Sequence, residues 1–380
     1  MSNATLSAKR IVAAALACAL AFPSAAFASV RVDDTDLAPG ENSVGGGIAT
    51  YAESILSFEN VVANTISTDE SLSVFFNGGN DVDKFQVTDD ANVSIEFEGE
   101  NSVEDIEARD NANVTVHMDE HNEFEDVEAY DNASITANVD GEAECEAIKG
   151  YDNANVTVQG TNCPQKDVLT VGEGEKSERI GTEKGDLVVK DVTLVMDGEQ
   201  DRVASTEGNV TITCSKIEGG DDSKRVDVFA GKDLFVGGSV IDIAGSIGSN
   251  GMLTIRRSDV DVEKADGDES PYRVWSKTGV KLIEEKNCVV REGTIDGKKV
   301  YYVDTDDRDE VHLEAALRPC YYKCDSDDKD EDDETPKHLP ETGSRRLPAT
   351  ADETPVAPIF AFATGGALLV TVGMRRRTSR

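Results

Sequence analysis

Residues 109–121 read RDNANVTVHMDEH, and the fold depends on which half of that stretch is taken to carry meaning. The second half, His117-Met118-Asp119-Glu120-His121, fits H-x-x-E-H, a spacing that on a helix brings two imidazoles to one metal. The first half, DNANVTV, returns at 152–158. One reading makes the stretch an active site, the other a single turn of a repetitive scaffold.

Aligning the chain on the repeated phrase settles the choice. Leu72, Val93, Val114, Ile135 and Val156 recur at a constant interval of 21, as do Val74, Ile95, Val116, Ala137 and Val158. A third column holds Phe76, Phe97, Met118 and Val139. These columns are spaced by two, the period of a strand with one buried face. Further along each unit run Val82, Val103, Phe124 and Cys145, then Phe85, Ile106, Val127 and Ile148. Those two columns sit three apart, as expected where a chain turns a corner with both side chains still pointing inward. The period lengthens downstream: Ile180, Val203 and Val226 are 23 apart, and Leu187, Val210, Leu234 and Leu253 follow at 23, 24 and 19. Residues 160–177 bridge the two registers.

A unit this short cannot bury its apolar face alone, but stacked copies can. The units are rich in Val, Thr, Asn and Asp, which disfavours helical repeats. The expected fold is therefore all-β: a single-stranded parallel β-helix, or β-solenoid, of about 21–23 residues per rung. Nine or ten rungs between residues 69 and 262 would make a rod of roughly 45 Å at the strand spacing of a sheet. The pattern resembles the right-handed parallel β-helices of secreted bacterial proteins, among them pectate-lyase-like enzymes, autotransporter adhesins and calcium-dependent polysaccharide-binding proteins. The resemblance covers about half the chain and rests on rung length and pattern. Within it H-x-x-E-H loses its chemistry. His117 alternates outward on a strand and His121 lies past its end, so the zinc site of inverzincin peptidases is not expected, and four His in the chain supply no third ligand.

Residues 29–68 are expected to form an N-terminal cap, since a solenoid end must hide its open edge. Residues 263–324, with Trp275 and KKVYYV at 298–303, are expected to form a small C-terminal β cap. Residues 325–338, DSDDKDEDDETPKH, read as an acidic spacer.

The two ends carry addresses. Residues 1–28 read as a signal peptide: Lys9-Arg10, an apolar run from Ile11 to Phe22 too short to span a bilayer, Pro23, then Ala26-Phe27-Ala28 before a cleavage point between Ala28 and Ser29. Ala15-Leu16-Ala17 is a poor lipobox for Cys18. At the other end, residues 339–380 contain Leu339-Pro340-Glu341-Thr342-Gly343, the related Leu347-Pro348-Ala349-Thr350-Ala351, an apolar stretch expected to form a transmembrane helix over 358–374, and Arg375-Arg376-Arg377. This order resembles the sorting signal of Gram-positive cell-wall-anchored proteins. The resemblance implies that a sortase cuts after Thr and joins the threonyl carbonyl to peptidoglycan. LPETG is the better chemical match, which favours Thr342, while LPATA, nearer the helix, leaves Thr350 as the alternative.

The net charge is −38, and setting aside the +2 of Lys9-Arg10 and the +4 of Arg375, Arg376, Arg377 and Arg380 leaves −44 between them. Nucleic acid is thereby disfavoured as a partner, while polysaccharide or a host or neighbouring cell surface stays open. Six cysteines remain after cleavage: Cys145, Cys163, Cys214, Cys288, Cys320 and Cys324. An extracellular site permits disulfides, and Cys320 with Cys324 is the local pair expected. Their spacing alone is a weak zinc signal.

Two polar columns are candidate sites. Asp89, Asp110, Asp131 and Asp152 stack beside Asp90, Asn111, Asn132 and Asn153. The Asn column is expected to form an amide ladder. The Asp column is either a turn device, each carboxylate accepting a backbone N–H, or a place where Ca²⁺ bridges neighbouring carboxylates. No cofactor is required. Arg179, Arg202 and Arg225, 23 apart, form either a charge-compensating ladder or a stripe for the carboxylates of an acidic sugar. The acidic runs at 265–269 and 304–310 lack full calcium-loop spacing. The leading expectation is a non-enzymatic, wall-anchored adhesin or glycan-binding stalk, with calcium as an optional aid. The alternatives are a polysaccharide lyase or hydrolase of the pectate-lyase type and a purely structural surface protein.

Overall fold

A computed structural model describes residues 29–322 apart from 162, 173–178, 221–223, 266–270, 287 and 306–308. The signal segment, the acidic spacer, both sorting pentapeptides, Cys324 and the apolar stretch at 358–374 lie outside the described residues. Among the described residues there is no α-helix, and no helix is long and apolar enough to cross a membrane.

The chain winds into a parallel β-solenoid of about nine turns. In each early rung a short strand such as Asn113–Met118 forms the first side. A turn follows, then a long strand such as Asn122–Ala129 that bends to make the second and third sides. The bend falls where the sequence places its corner. Val103 stacks on Phe124 and Asp105 on Asp126, while Glu104 and Glu125 are skipped by the pairing. From residue 168 the long strand divides. Val168–Val171 continues the second side and Arg179–Thr182 the third, both stacked on Glu142–Gly150.

The apolar columns are the core. Leu72, Val93, Val114, Ile135 and Val156 stack in register, each at most 4% exposed. Leu187, Val210, Leu234 and Leu253 continue on the first side. Fully burying one such side chain stabilises by roughly 1.5–3 kcal/mol. Phe58, Phe76 and Phe97 add a ring stack at 5.1 and 5.2 Å.

The parallel stack begins at Ile55–Glu59 and Val62–Thr68, one rung ahead of the residue 69 from which the repeat is read. Before it, Val30–Val32 and the hairpin Gly40–Val44/Gly47–Ala52 pair antiparallel and close the end. At the far end Val274–Ser276 and Gly279–Ile283 extend the stack. The hairpin Val289–Ile295/Lys298–Asp304 and the strand Glu310–Ala315 then pair antiparallel over it.

One register differs from the arithmetic of the sequence. Ile180 stacks on Val203 as expected, but Val203 stacks on Val228, not Val226. This rung is longer by two than the one before it, and the two extra residues fall between Ile217 and Val228, which stack on Leu194 and Val203. Gly219 and Gly220, at φ +148° and +79°, lie in that interval and adopt backbone conformations that glycine reaches without strain.

Candidate functional site

The Asp column occupies a turn that recurs in successive rungs. Asp89, Asp110, Asp131 and Asp152 adopt φ of +59°, +61°, +60° and +51°, the left-handed conformation that Asp tolerates better than most residues. The Asp110 carboxylate accepts the Asp89 backbone N–H at 3.4 Å. Beside it the amide ladder forms as expected. Asn111 donates to Asp90 at 2.9 Å, Asn132 to Asn111 and Asn153 to Asn132 at 3.3 Å each. No group of three or more His, Cys, Asp or Glu placed to hold a metal occurs among the described residues. A second ladder, Asn80–Asn101–Asn122, is buried in the turn before the second side, with amide bonds of 2.8 and 3.0 Å. Its members recur at the same interval as the apolar columns, so the signal for them is present in the sequence. His117 points out of its strand toward Asn138 at 3.4 Å and His121 stands exposed in the following turn, so the two H-x-x-E-H imidazoles lie on different elements.

The expected Cys320–Cys324 bridge is not formed. Cys320 is bonded to Cys214, 106 residues away, because the segment after the cap folds back along the rungs. Tyr321 N–H donates to the Gly238 carbonyl at 3.0 Å and the Tyr321 hydroxyl meets Thr193 Oγ1 at 3.1 Å. Cys163 is also disulfide-bonded, whereas Cys288 is a free thiol.

The Arg column is broken by the lengthened rung. Arg179 and Arg202 are direct neighbours, but Arg202 faces Asp227, and Arg225 faces Gln200. Arg225 instead pairs with Asp227 at 2.9 Å within its own strand.

The third side of the solenoid concentrates the chemistry. Residues 32–165 contain 31 acids and only three Lys or Arg: Lys84, Arg109 and Lys149. All three belong to this side. Lys84 and Arg109 converge on Glu107, which is 3% exposed. Lys84 Nζ donates to it at 2.6 Å, Gln86 at 3.0 Å and Arg109 Nε at 2.9 Å. Burial alone would raise the Glu107 carboxyl, but the hydrogen bonds from Lys84 and Arg109 outweigh it and hold the carboxyl below the usual range. One rung on, the Tyr130 and Tyr151 hydroxyls both donate to Glu128, the latter at 3.0 Å. Burial, then that hydrogen bond, pushes both phenols above their ordinary value.

Four rungs thus present a ladder of planar groups. Arg109 lies 4.2 Å over the Tyr130 ring, Tyr130 and Tyr151 stack at 4.8 Å, and Arg179 lies 5.5 Å from the Tyr151 ring. The neighbouring outward column continues it through Lys149, Gly181, Ala204, Phe229, Gly248, Trp275 and Tyr302. Trp275 lies across Gly248, where a Cβ would come within 2.6 Å of the indole, so only glycine fits. Phe229 and Trp275 rings are 6.2 Å apart, and Tyr272 stacks on Tyr302 at 4.0 Å. Sequence reading places Trp275 in the cap but does not reveal its alignment with the solenoid face. Tyr130 and Tyr151 occupy equivalent positions of successive repeats, a column open to reading in the sequence.

No protein-family model matches the chain, and no curated protein or solved structure matches it either.

Proposed function

We propose that this is a sortase-anchored cell-surface protein whose solenoid is a rigid stalk that binds glycan along its third side. The observation that carries the binding role is the placement of rings and cations. In a strongly acidic molecule, stacked Tyr130 and Tyr151, Phe229 and Trp275, together with every base between residues 32 and 165, belong to one side. Flat aromatic faces beside hydrogen-bonding Arg, Lys and carboxylate groups suit pyranose rings, which offer C–H faces and hydroxyl edges. The anchoring role rests on the sequence alone: signal peptide, LPETG, apolar stretch and Arg cluster in order.

The binding test is a glycan array probed with the full chain and with Tyr151→Ala and Trp275→Ala. Glycan-specific binding that both substitutions weaken supports the reading, and binding indifferent to both removes it. For anchoring, Thr342→Ala should release the protein from peptidoglycan. Retention with Thr342→Ala but release with Thr350→Ala would make Thr350 the attachment point.

A further inference from the structure

Between the tyrosine ladder and Phe229 the third side drops to a floor of small residues. Gly181 and Ala204 occupy two successive rungs, with Lys149 on the rung before and Phe229 on the rung after. Lys149 and Phe229 are three rungs apart, which at the spacing of strands makes a notch about 14 Å long. The floor is fixed by the backbone: a Cβ on Gly181 would lie 2.3 Å from the Ala204 carbonyl oxygen. Along one edge of the notch stand Arg179 and Arg202, direct cross-strand partners. Like charges placed opposite each other are destabilising. Neither is neutralised by a carboxylate among the described residues. Arg179 has the Tyr151 ring as its partner, and exposed Arg202 has no side-chain partner among them. The acid directly opposite Arg202 on the following rung, Asp227, is already engaged by Arg225 at 2.9 Å and by Ser246 at 2.7 Å. Two guanidinium groups with no ion pair among the described residues, in a chain of net charge −38, have the chemistry to hold an external anion.

The charge distribution permits an anion here and not earlier. Residues 179–262 carry ten bases against 15 acids, whereas residues 32–165 carry three against 31. An anionic chain would be repelled from the early rungs and tolerated on the later ones, since exposed charges beyond about 8–10 Å are largely screened at physiological salt.

We propose that the notch over Gly181 and Ala204 seats an anionic saccharide unit, its carboxylate or sulfate group held by Arg179 and Arg202 and its ring set against Phe229. This rests on the glycan-binding reading and narrows it to acidic polysaccharide.

The test measures binding of polygalacturonate, dextran sulfate and uncharged dextran to the full chain, to Arg179→Gln/Arg202→Gln and to Arg179→Lys/Arg202→Lys. The expected result is that at least one polyanion binds and dextran does not. The Gln pair should weaken binding ~10-fold or more through loss of charge-assisted hydrogen bonds, and the Lys pair should weaken it less. Which polyanion binds identifies carboxylate or sulfate as the anion. Failure of both polyanions to bind overturns the proposal, as does polyanion binding that the Gln pair leaves unchanged. If a neutral glycan binds and is lost only with Trp275→Ala, the acidic-sugar proposal fails while the glycan-binding reading stands.

Discussion

Replacing both Cys214 and Cys320 with Ser should destabilise the C-terminal rungs selectively. The bridge closes a loop of 106 residues that contains the later rungs and the cap. In the chain-entropy account, releasing a loop of that length costs about 4.7 kcal/mol of stability. A solenoid couples mainly to its nearest neighbours, so the loss should be local. Hydrogen exchange read by mass spectrometry on the full chain is the assay. At about 1.4 kcal/mol per tenfold, amides in Val240–Ser249, Met252–Arg256 and Gly279–Ile283 should exchange on the order of 10³-fold faster. Amides in Asn101–Ala108 and Asn113–Met118 should be unchanged. Exchange that stays the same in the later strands, or rises equally throughout, would refute the argument that this staple holds the far end in place.

Asp131→Ala should cost about 1–2 kcal/mol because Asp131 sits at φ +60°, while Asp131→Asn should be nearly neutral; thermal melts of the two variants decide it. Asn101→Leu should cost about 1–3 kcal/mol by leaving the buried Asn80 amide and Val61 N–H network short of a partner, and urea titration measures it. Glu285 lies at the end of a buried serine ladder and accepts the Ser258 N–H at 3.0 Å. Burial, opposed by that hydrogen bond, pushes its carboxyl up to about 7. A raised acid binds more protons folded than unfolded, so its contribution to stability falls as pH rises from the ordinary carboxyl range through about 7. Melting followed across that window should show the far end weakening with pH in the wild type and much less so in Glu285→Gln.

The rung was legible because its information is local and repeated. Strand alternation, the corner between Val103 and Ile106 and the Asp-Asn turns each recur once per repeat, and each occupies its expected place. What the sequence hides is where rungs stop being equal. Arg179, Arg202 and Arg225 keep a spacing of 23, yet the two extra residues between Ile217 and Val228 shift the third by two and put Asp227 in the column. Spacing in the chain equals position in the stack only while insertions are absent. The Cys214–Cys320 bridge is hidden for a related reason: it depends on a segment folding back across rungs, which no local pattern encodes. The third side became readable as a candidate site only when cap and solenoid shared one register, which placed Trp275 beyond Phe229 and Gly248.

The most direct test of that site is a protection map. Hydrogen exchange of the full chain with and without a bound acidic polysaccharide should slow the amides of the third side, Arg179–Thr182, Gln200–Ser205 and Arg225–Ala230 above all. The first-side strands Leu187–Lys190 and Val210–Thr213 should exchange as before. Protection on the first side with none on the third would contradict the account.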